Sequence, residues 1–352
     1  MRQVERHIVK ENSPIWKQID ELCFLSKNLY NYANYKVRQS FIFEKVYLDY
    51  NKIYHKVKDK PDYQALPRKV SQQILRGLDK NWKSFMTANK AYKENPDKFT
   101  GRPKLPKYKH KTKGRNLLTY TIQAISKPWL SKGIVKLSGT DIFVPTKTQV
   151  ENIVQARIIP KIGQYVIEIV YELQEDYTVN NKTAIAAIDI GVDNLAALTS
   201  NQTGFKPILV NGRPLKSLNQ FYNKTKAKLQ SYLKSEKATS KKIKKLTAKR
   251  NNRVDNYLHQ ASRWIINYLD SLGIGKLIIG KNPLWKQAVN NGQKNNQSFV
   301  NIPHARFIEM LIYKGAMKGI EVITREESYT SRARCDSFLR NLEREGLRAS
   351  VK

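Results

Sequence analysis

Apolar positions in this chain first recur at helical spacing just after Ser13-Pro14. Ile15, Ile19, Leu22, Leu25 and Leu29 share one face, and Trp16 and Phe24 flank it. The pattern runs on through LYNYANYKVRQSF, where Tyr30, Tyr32 and Tyr35 sit among Lys36 and Arg38. Tyrosines at helical spacing pack a core more often than they stack on a ligand, and packing is the expectation here. Beyond Pro61 and Pro67, Val70, Ile74, Leu78, Trp82 and Phe85 predict a second helix. Its polar side carries Lys69, Gln72, Gln73 and Arg76. These could reach phosphates or base edges, or could form a solvated face.

From 118 to 175 the period changes to two. Val154, Ala156 and Ile158 alternate with Gln155 and Arg157, and Ile167 and Ile169 alternate with Val166, Glu168 and Val170. Gly133, Gly139 and Lys161-Ile162-Gly163 punctuate the run, and residues 1 to 10 read as a further short strand. An antiparallel unit follows from this pattern, expected to be a small barrel. The polar segment from Glu175 to Thr183 then leads into AIAAIDIGVDNLAALTS. There Ile185-Ala186-Ala187-Ile188 reads as a buried strand that ends on Asp189. Gly191 allows a tight turn, and Asn194 opens a second apolar run through Leu195, Ala197 and Leu198. A carboxylate so placed could be the first metal ligand of an RNase H-like fold, or Asp189 or Asp193 could simply bond its own turn. Further on, Lys276 to Gly280 is a buried strand, 303 to 318 a helix, and Glu321 to Thr324 a strand running into Arg325-Glu326-Glu327-Ser328. Strand, helix and strand in this order suit a layer of sheet and helices.

Charge narrows the function. Lys and Arg number 64 against 29 acids in 352 residues, a formal net charge of +35. So large an excess points to a polyanion, and nucleic acid is the first candidate because each neutralised phosphate releases a counterion. The cations are also clustered. GRPKLPKYKHKTKGR, residues 101 to 115, holds seven Lys or Arg and no acid: Arg102, Lys104, Lys107, Lys109, Lys111, Lys113 and Arg115. Pro103 and Pro106 forbid a helix there, so the segment is expected to lie extended along a phosphate backbone. Residues 213 to 253 carry 14 Lys or Arg and one acid, Glu236. They read as two basic helices broken near Ser235 to Ser240, with Lys241, Lys245, Lys249, Arg250 and Arg253 as candidate phosphate contacts. An anionic membrane is a weaker partner, since no apolar run approaches the ~18 residues of a spanning helix. Only Cys23 and Cys335 are present, so neither a disulfide framework nor a zinc site is expected, and the protein is expected in the cytoplasm, associated with the nucleoid. No GxxxxGK[ST], GxSxG or HExxH occurs.

Taken in order, KNLYNYANYKVRQSF, GRPKLPKYKHK, AIDIGVDNLAALTS, LHQASRWI, IIGKNPLWKQ, NNQSFVNIPHARFIEML and EESYTS resemble the TnpB family, the RNA-guided DNA nucleases of insertion sequences related to type V CRISPR effectors. The resemblance extends from about residue 14 to residue 331. It implies an α+β / α/β multidomain chain. A wedge-like β-barrel would occupy 1–10 and 116–180, a helical recognition domain 11–115, and a RuvC nuclease domain of RNase H type 181–352, with a basic helical insertion at 213–271. It further implies Asp189 as the first catalytic carboxylate.

In the family the second acid usually ends the strand that corresponds here to Leu277 to Ile279, where this chain has Gly280 and then Lys281. Members with the IGKNxxWKQ segment carry it downstream, which assigns Glu327, with Glu326 as the alternate. Two Mg²⁺ ions at Asp189 and Glu327, a guide RNA, a double-stranded DNA target and a monomeric ribonucleoprotein are implied. The family continues into a zinc ribbon and then a third catalytic Asp; RARCDSFLRNLEREGLRASVK has no such ribbon, and its Asp336 comes too soon after Glu327 to be carried over as that acid. The expectation is therefore a truncated or frameshifted copy with impaired cleavage. An RNA-guided DNA-binding protein that does not cut, or an RNA-independent transposase, is the alternative.

Overall fold

The structure is a computed structural model that describes residues 2–148, 152–172, 183–233, 238–281 and 301–326. The chain divides into two compact units, Met1–Glu175 and Asp176–Lys352.

The first unit opens with β1 (Arg2–Val9) and the long helix α1 (Trp16–Gln39), which ends in a π-helical turn at Ser40–Glu44. Two short helices, α2 (Tyr50–Val57) and α3 (Pro61–Gln64), precede α4 (Arg68–Glu94). The apolar stripes do as their spacing predicts. Ile19, Leu22, Leu29 and Val37 of α1 and Val70, Ile74, Leu78 and Trp82 of α4 are buried in one core, with Phe85 packed at its margin. After the basic segment come β2 (Leu118–Thr121), the helical turn α5 (Lys127–Leu130), the hairpin β3 (Ile134–Lys136) and β4 (Phe143–Pro145), and the long pair β5 (Ile153–Lys161) and β6 (Gln164–Glu172). Gly163, at φ +71°, supplies the left-handed residue in the β5–β6 turn.

The four long strands form an antiparallel sheet in the order β1-β6-β5-β2. It is not the barrel expected from the alternation. Four strands are too few to curl round and pair edge to edge. The β3–β4 hairpin stays a separate sheet, with a lone bridge pairing Leu137, just past β3, with Ile125. On β6, Tyr165, Ile167 and Ile169 face the core. Glu168 lies on the opposite face, 5% exposed, and accepts from Arg6 at 3.0 Å and Arg157 at 2.6 Å, its register partners on both sides. A carboxylate buried on a central strand is tolerable only when paired in this way.

The second unit contains β7 (Ile185–Asp189), β8 (Asn194–Ser200), β9 (Ile208–Asn211), α6 (Arg213–Ser231), α7 (Lys241–Ser271), β10 (Lys276–Gly280), α8 (His304–Ala316) and β11 (Glu321–Arg325). The sheet order is β11-β10-β7-β8-β9. β7, β8 and β9 pair antiparallel, whereas β10 runs parallel to β7 and β11 parallel to β10. The basic region does form two helices, and α7 continues through Trp264 and Leu269 as one element capped by Ser240. Val254, Leu258, Ile265 and Leu269 of α7 and Phe307, Ile308 and Leu311 of α8 bury against Ile188, Leu277 and Ile279 of the sheet. Among the described residues no helix is long and apolar enough to cross a membrane.

Candidate functional site

Strand direction gathers the chemistry of the second unit at one edge. β7, β9, β10 and β11 all end there, and ligands of open α/β sheets bind at the carboxyl ends of parallel strands. Asp189 is the last residue of β7, paired in register with Ala197 of β8. Ile279 pairs with Ile188, so the next residue, Gly280, comes beside Asp189, and Gly280 in turn pairs with Arg325. One row across the sheet thus holds a carboxylate, a position with no side chain, and a guanidinium. Glu326 follows β11 at the same edge and is exposed; Glu327 lies outside the described residues.

The turn after Asp189 separates two roles that the sequence left open. Asp193 accepts from Lys216 of α6 at 2.8 Å, and that hydrogen bond holds its carboxyl below the usual range. Its carbonyl accepts from Gly212 N–H at 2.8 Å. A Cβ at Gly212 would stand 2.1 Å from the carbonyl of Val192, so only glycine lets the end of β9 come this close to the turn. Gly191 serves the same purpose, since a Cβ there would meet the Asn194 carbonyl at 2.8 Å. Asp193 is therefore the turn acid. Asp189 is exposed, and among the described residues its carboxylate makes no hydrogen bond or ion pair. It offers Mg²⁺ the hard oxygen donors that this ion takes. Gly280 offers none, and among the described residues no three His, Cys, Asp or Glu side chains cluster to hold a metal. The described residues fit one ligand of a magnesium site, not a complete two-metal site.

The basic hairpin rises from the same edge. Tyr257 of α7 donates to the Asn211 carbonyl where β9 ends, and α7 continues toward its amino end for about 24 Å beyond that point at 1.5 Å per residue. Lys241, Lys245, Lys249 and Arg253 are all exposed on this projecting part. Arg250 is different. It donates to Asn219 at 2.8 Å, Asn251 at 3.0 Å and the Asn301 carbonyl at 2.6 Å, and burial lowers its pKa. Its guanidinium pins α7 to α6 and to the residue group before α8 instead of facing solvent.

In the first unit the segment 101–115 is extended but not loose. Side chains of α1 hold its backbone. Asn34 and Arg38 donate to the Pro106 carbonyl at 3.0 and 3.1 Å, and Asn31 both donates to and accepts from Lys109 at 2.8 Å. Lys27, 3% exposed, donates to the Lys111 carbonyl at 2.6 Å and sits 3.7 Å from the Phe24 ring centroid. Burial, with Arg115 nearby, lowers its pKa. At the end of the segment Arg115 grips Asp20 through two hydrogen bonds of 2.8 and 2.7 Å, which keep that carboxyl below the usual range. With the backbone fixed, Arg102, Lys104, Lys107, Lys109, Lys111 and Lys113 are all exposed. On α4, Lys69 and Arg76 are exposed and Gln72 and Gln73 half-buried, and the Arg76 guanidinium lies 4.2 Å from the Tyr50 ring centroid. The anchors Lys27, Asn31 and Asn34 gave no signal in the sequence, because their partners are backbone carbonyls more than seventy positions away. Tyr35, expected to pack, is 47% exposed, whereas Tyr30 is buried.

Residues 168–285 match the family described as OrfB_IS605, probable transposase. The structure described as "Cryo-EM structure of the Cas12f1-sgRNA-target DNA complex" is similar in fold, with a TM-score of 0.52 and 14% identity over 88% of this chain and 74% of that chain. "Cryo-EM structure of CRISPR-Cas12f Ternary Complex" shares 14% identity over 90% of this chain and 73% of that chain, at a TM-score of 0.34. No curated protein matches. The transposase-family match over residues 168–285 and the shared fold both agree with the resemblance to the TnpB family read from the sequence.

Proposed function

We propose that the chain is a transposon-encoded, RNA-guided DNA endonuclease of the TnpB type, with the second unit as its RuvC nuclease domain. The observation that supports it is the exposed Asp189, unpaired among the described residues, at the carboxyl edge of a β11-β10-β7-β8-β9 sheet, beside a basic helical hairpin that rises from that edge. The lysines of α7 and of 101–115 hold guide RNA and target DNA by their phosphates, and base pairing supplies sequence. Asp189 is the described residue that would hold magnesium, with Glu327, or Glu326 in its place, as the second acid. When bound, the metal supplies charge neutralisation on the phosphate and an activated water. Gly280 leaves the position beside Asp189 without an acid, so cleavage depends on an acid supplied from the segment after β11.

The same glycine favours a second reading, an RNA-guided DNA-binding protein that does not cut. One experiment separates the readings. The purified protein, with its co-purifying RNA, is assayed for Mg²⁺-dependent cleavage of matched DNA beside Asp189→Ala. Slow cleavage that the substitution abolishes while DNA binding persists supports the nuclease. Binding without cleavage by either protein supports the second reading. Binding and cleavage that survive RNase treatment would leave an RNA-independent transposase.

A further inference from the structure

Helix α1 and the anchored segment bring two exposed tyrosines and an arginine together. The hydrogen bonds from Asn31 to Lys109 and from Asn34 and Arg38 to Pro106 fix the segment against the turns of α1 that carry Tyr35 and Arg38. Between the two anchor points stands Tyr108, 45% exposed, with the Arg38 guanidinium 5.2 Å from its ring centroid. Tyr35 is 47% exposed, and Lys36 Nζ lies 5.9 Å from its ring centroid. Neither ring belongs to the hydrophobic core. Large apolar surface is thus left in solvent among cations, on a backbone that is already ordered.

An exposed ring gains free energy by burying its face, and the cations around these two select against an apolar protein partner. A nucleobase meets both conditions. It offers a π-face of any sequence and brings a phosphate to the surrounding Arg and Lys. We propose that Tyr35, Arg38 and Tyr108 form a stacking platform for an unpaired nucleobase. The proposal rests on the nucleic-acid reading above and assigns to these residues a contact with bases, while Lys107, Lys109 and Lys111 serve the phosphates.

The test uses the full chain, with labelled oligo(U) and oligo(dT), the same strands carrying abasic sites throughout, and a blunt duplex, each titrated over a salt series. Replacing Tyr108→Ala should weaken binding of the single strands by about 5- to 150-fold, the range for loss of one stacked base. The slope of log affinity against log salt should not change, and the abasic strand should lose nothing. Tyr108→Phe should bind as the parent does. Lys107→Ala should instead lower the salt slope by about 0.7 on every strand. All three substitutions are on exposed side chains, and unchanged thermal melting confirms the fold. An equal loss on the abasic strand or the duplex, or no loss at all, overturns the platform while the nucleic-acid reading stands. No binding to any strand overturns both. Comparison of oligo(U) with oligo(dT) shows whether the base comes from RNA or from DNA.

Discussion

Lys314 on α8 is a buried cation whose energetic weight can be measured. Only 7% exposed, it donates to the His259 carbonyl and to Ser262 Oγ of α7, both at 2.7 Å. Burial first, and Arg263 second, pull its pKa from 10.5 to about 8. In the unfolded chain it titrates at its ordinary value, so between the two pKa values the unfolded state binds more protons. Stability contributed by this group therefore rises as pH passes from about 8 toward 10.5. Near pH 7 both states are charged, and near pH 9.5 the folded state is mostly neutral, which gives a gain of about 2 kcal/mol from this one site. Tyrosines also titrate in this range, so the quantity to measure is the difference between the parent and Lys314→Met. That difference should shift by about 2 kcal/mol in favour of the parent between the two pH values. Urea titrations read by pulse proteolysis, scored on fragments from α7 and α8, report this unit by itself. A difference that stays flat with pH would refute the buried, proton-losing lysine.

Two further outcomes follow from the contacts around the basic surfaces. Asn34 accepts from the buried Trp82 indole N–H at 3.0 Å and donates to Pro106, so Asn34→Leu should cost about 1–3 kcal/mol and expose residues 104 to 113 to trypsin. Lys249 and Arg250 are neighbours with opposite fates. Lys249→Ala should lower the salt slope of duplex binding by about 0.9 with little change in melting, whereas Arg250→Gln should lower the melting temperature, with the slope unchanged.

Element identity could be read from the chain where burial imposes a period. The stripe Val70, Ile74, Leu78, Trp82 lies in the core, and Ile185 to Ile188 form a strand that ends on Asp189. Sheet closure could not be read. Alternation in Ile167 and Ile169 specifies a strand and a face, but says nothing of whether β1 and β2 meet. Charge had the same limit. The sequence shows Lys249 and Arg250 as equal cations, and only the packing of Asn219 and Asn301 draws one of them inward. At the acidic edge, Asp189 was legible because its strand is local. Its isolation from Asp193 was not, for it depends on Lys216 and on the close approach of Gly212.

The parallel pairing of β10 with β7 has a consequence for biogenesis. Lys276 pairs with Ile185 across about ninety intervening residues, so β7, β8 and β9 can zip locally long before β10 exists, and β11 must wait longer still. On the ribosome, the amino-terminal unit and its lysine-lined segment emerge and fold first. On the function proposed above, the surface assigned to RNA is therefore complete before the rim around Asp189 is assembled. The order in which the two surfaces form is imposed by connectivity alone.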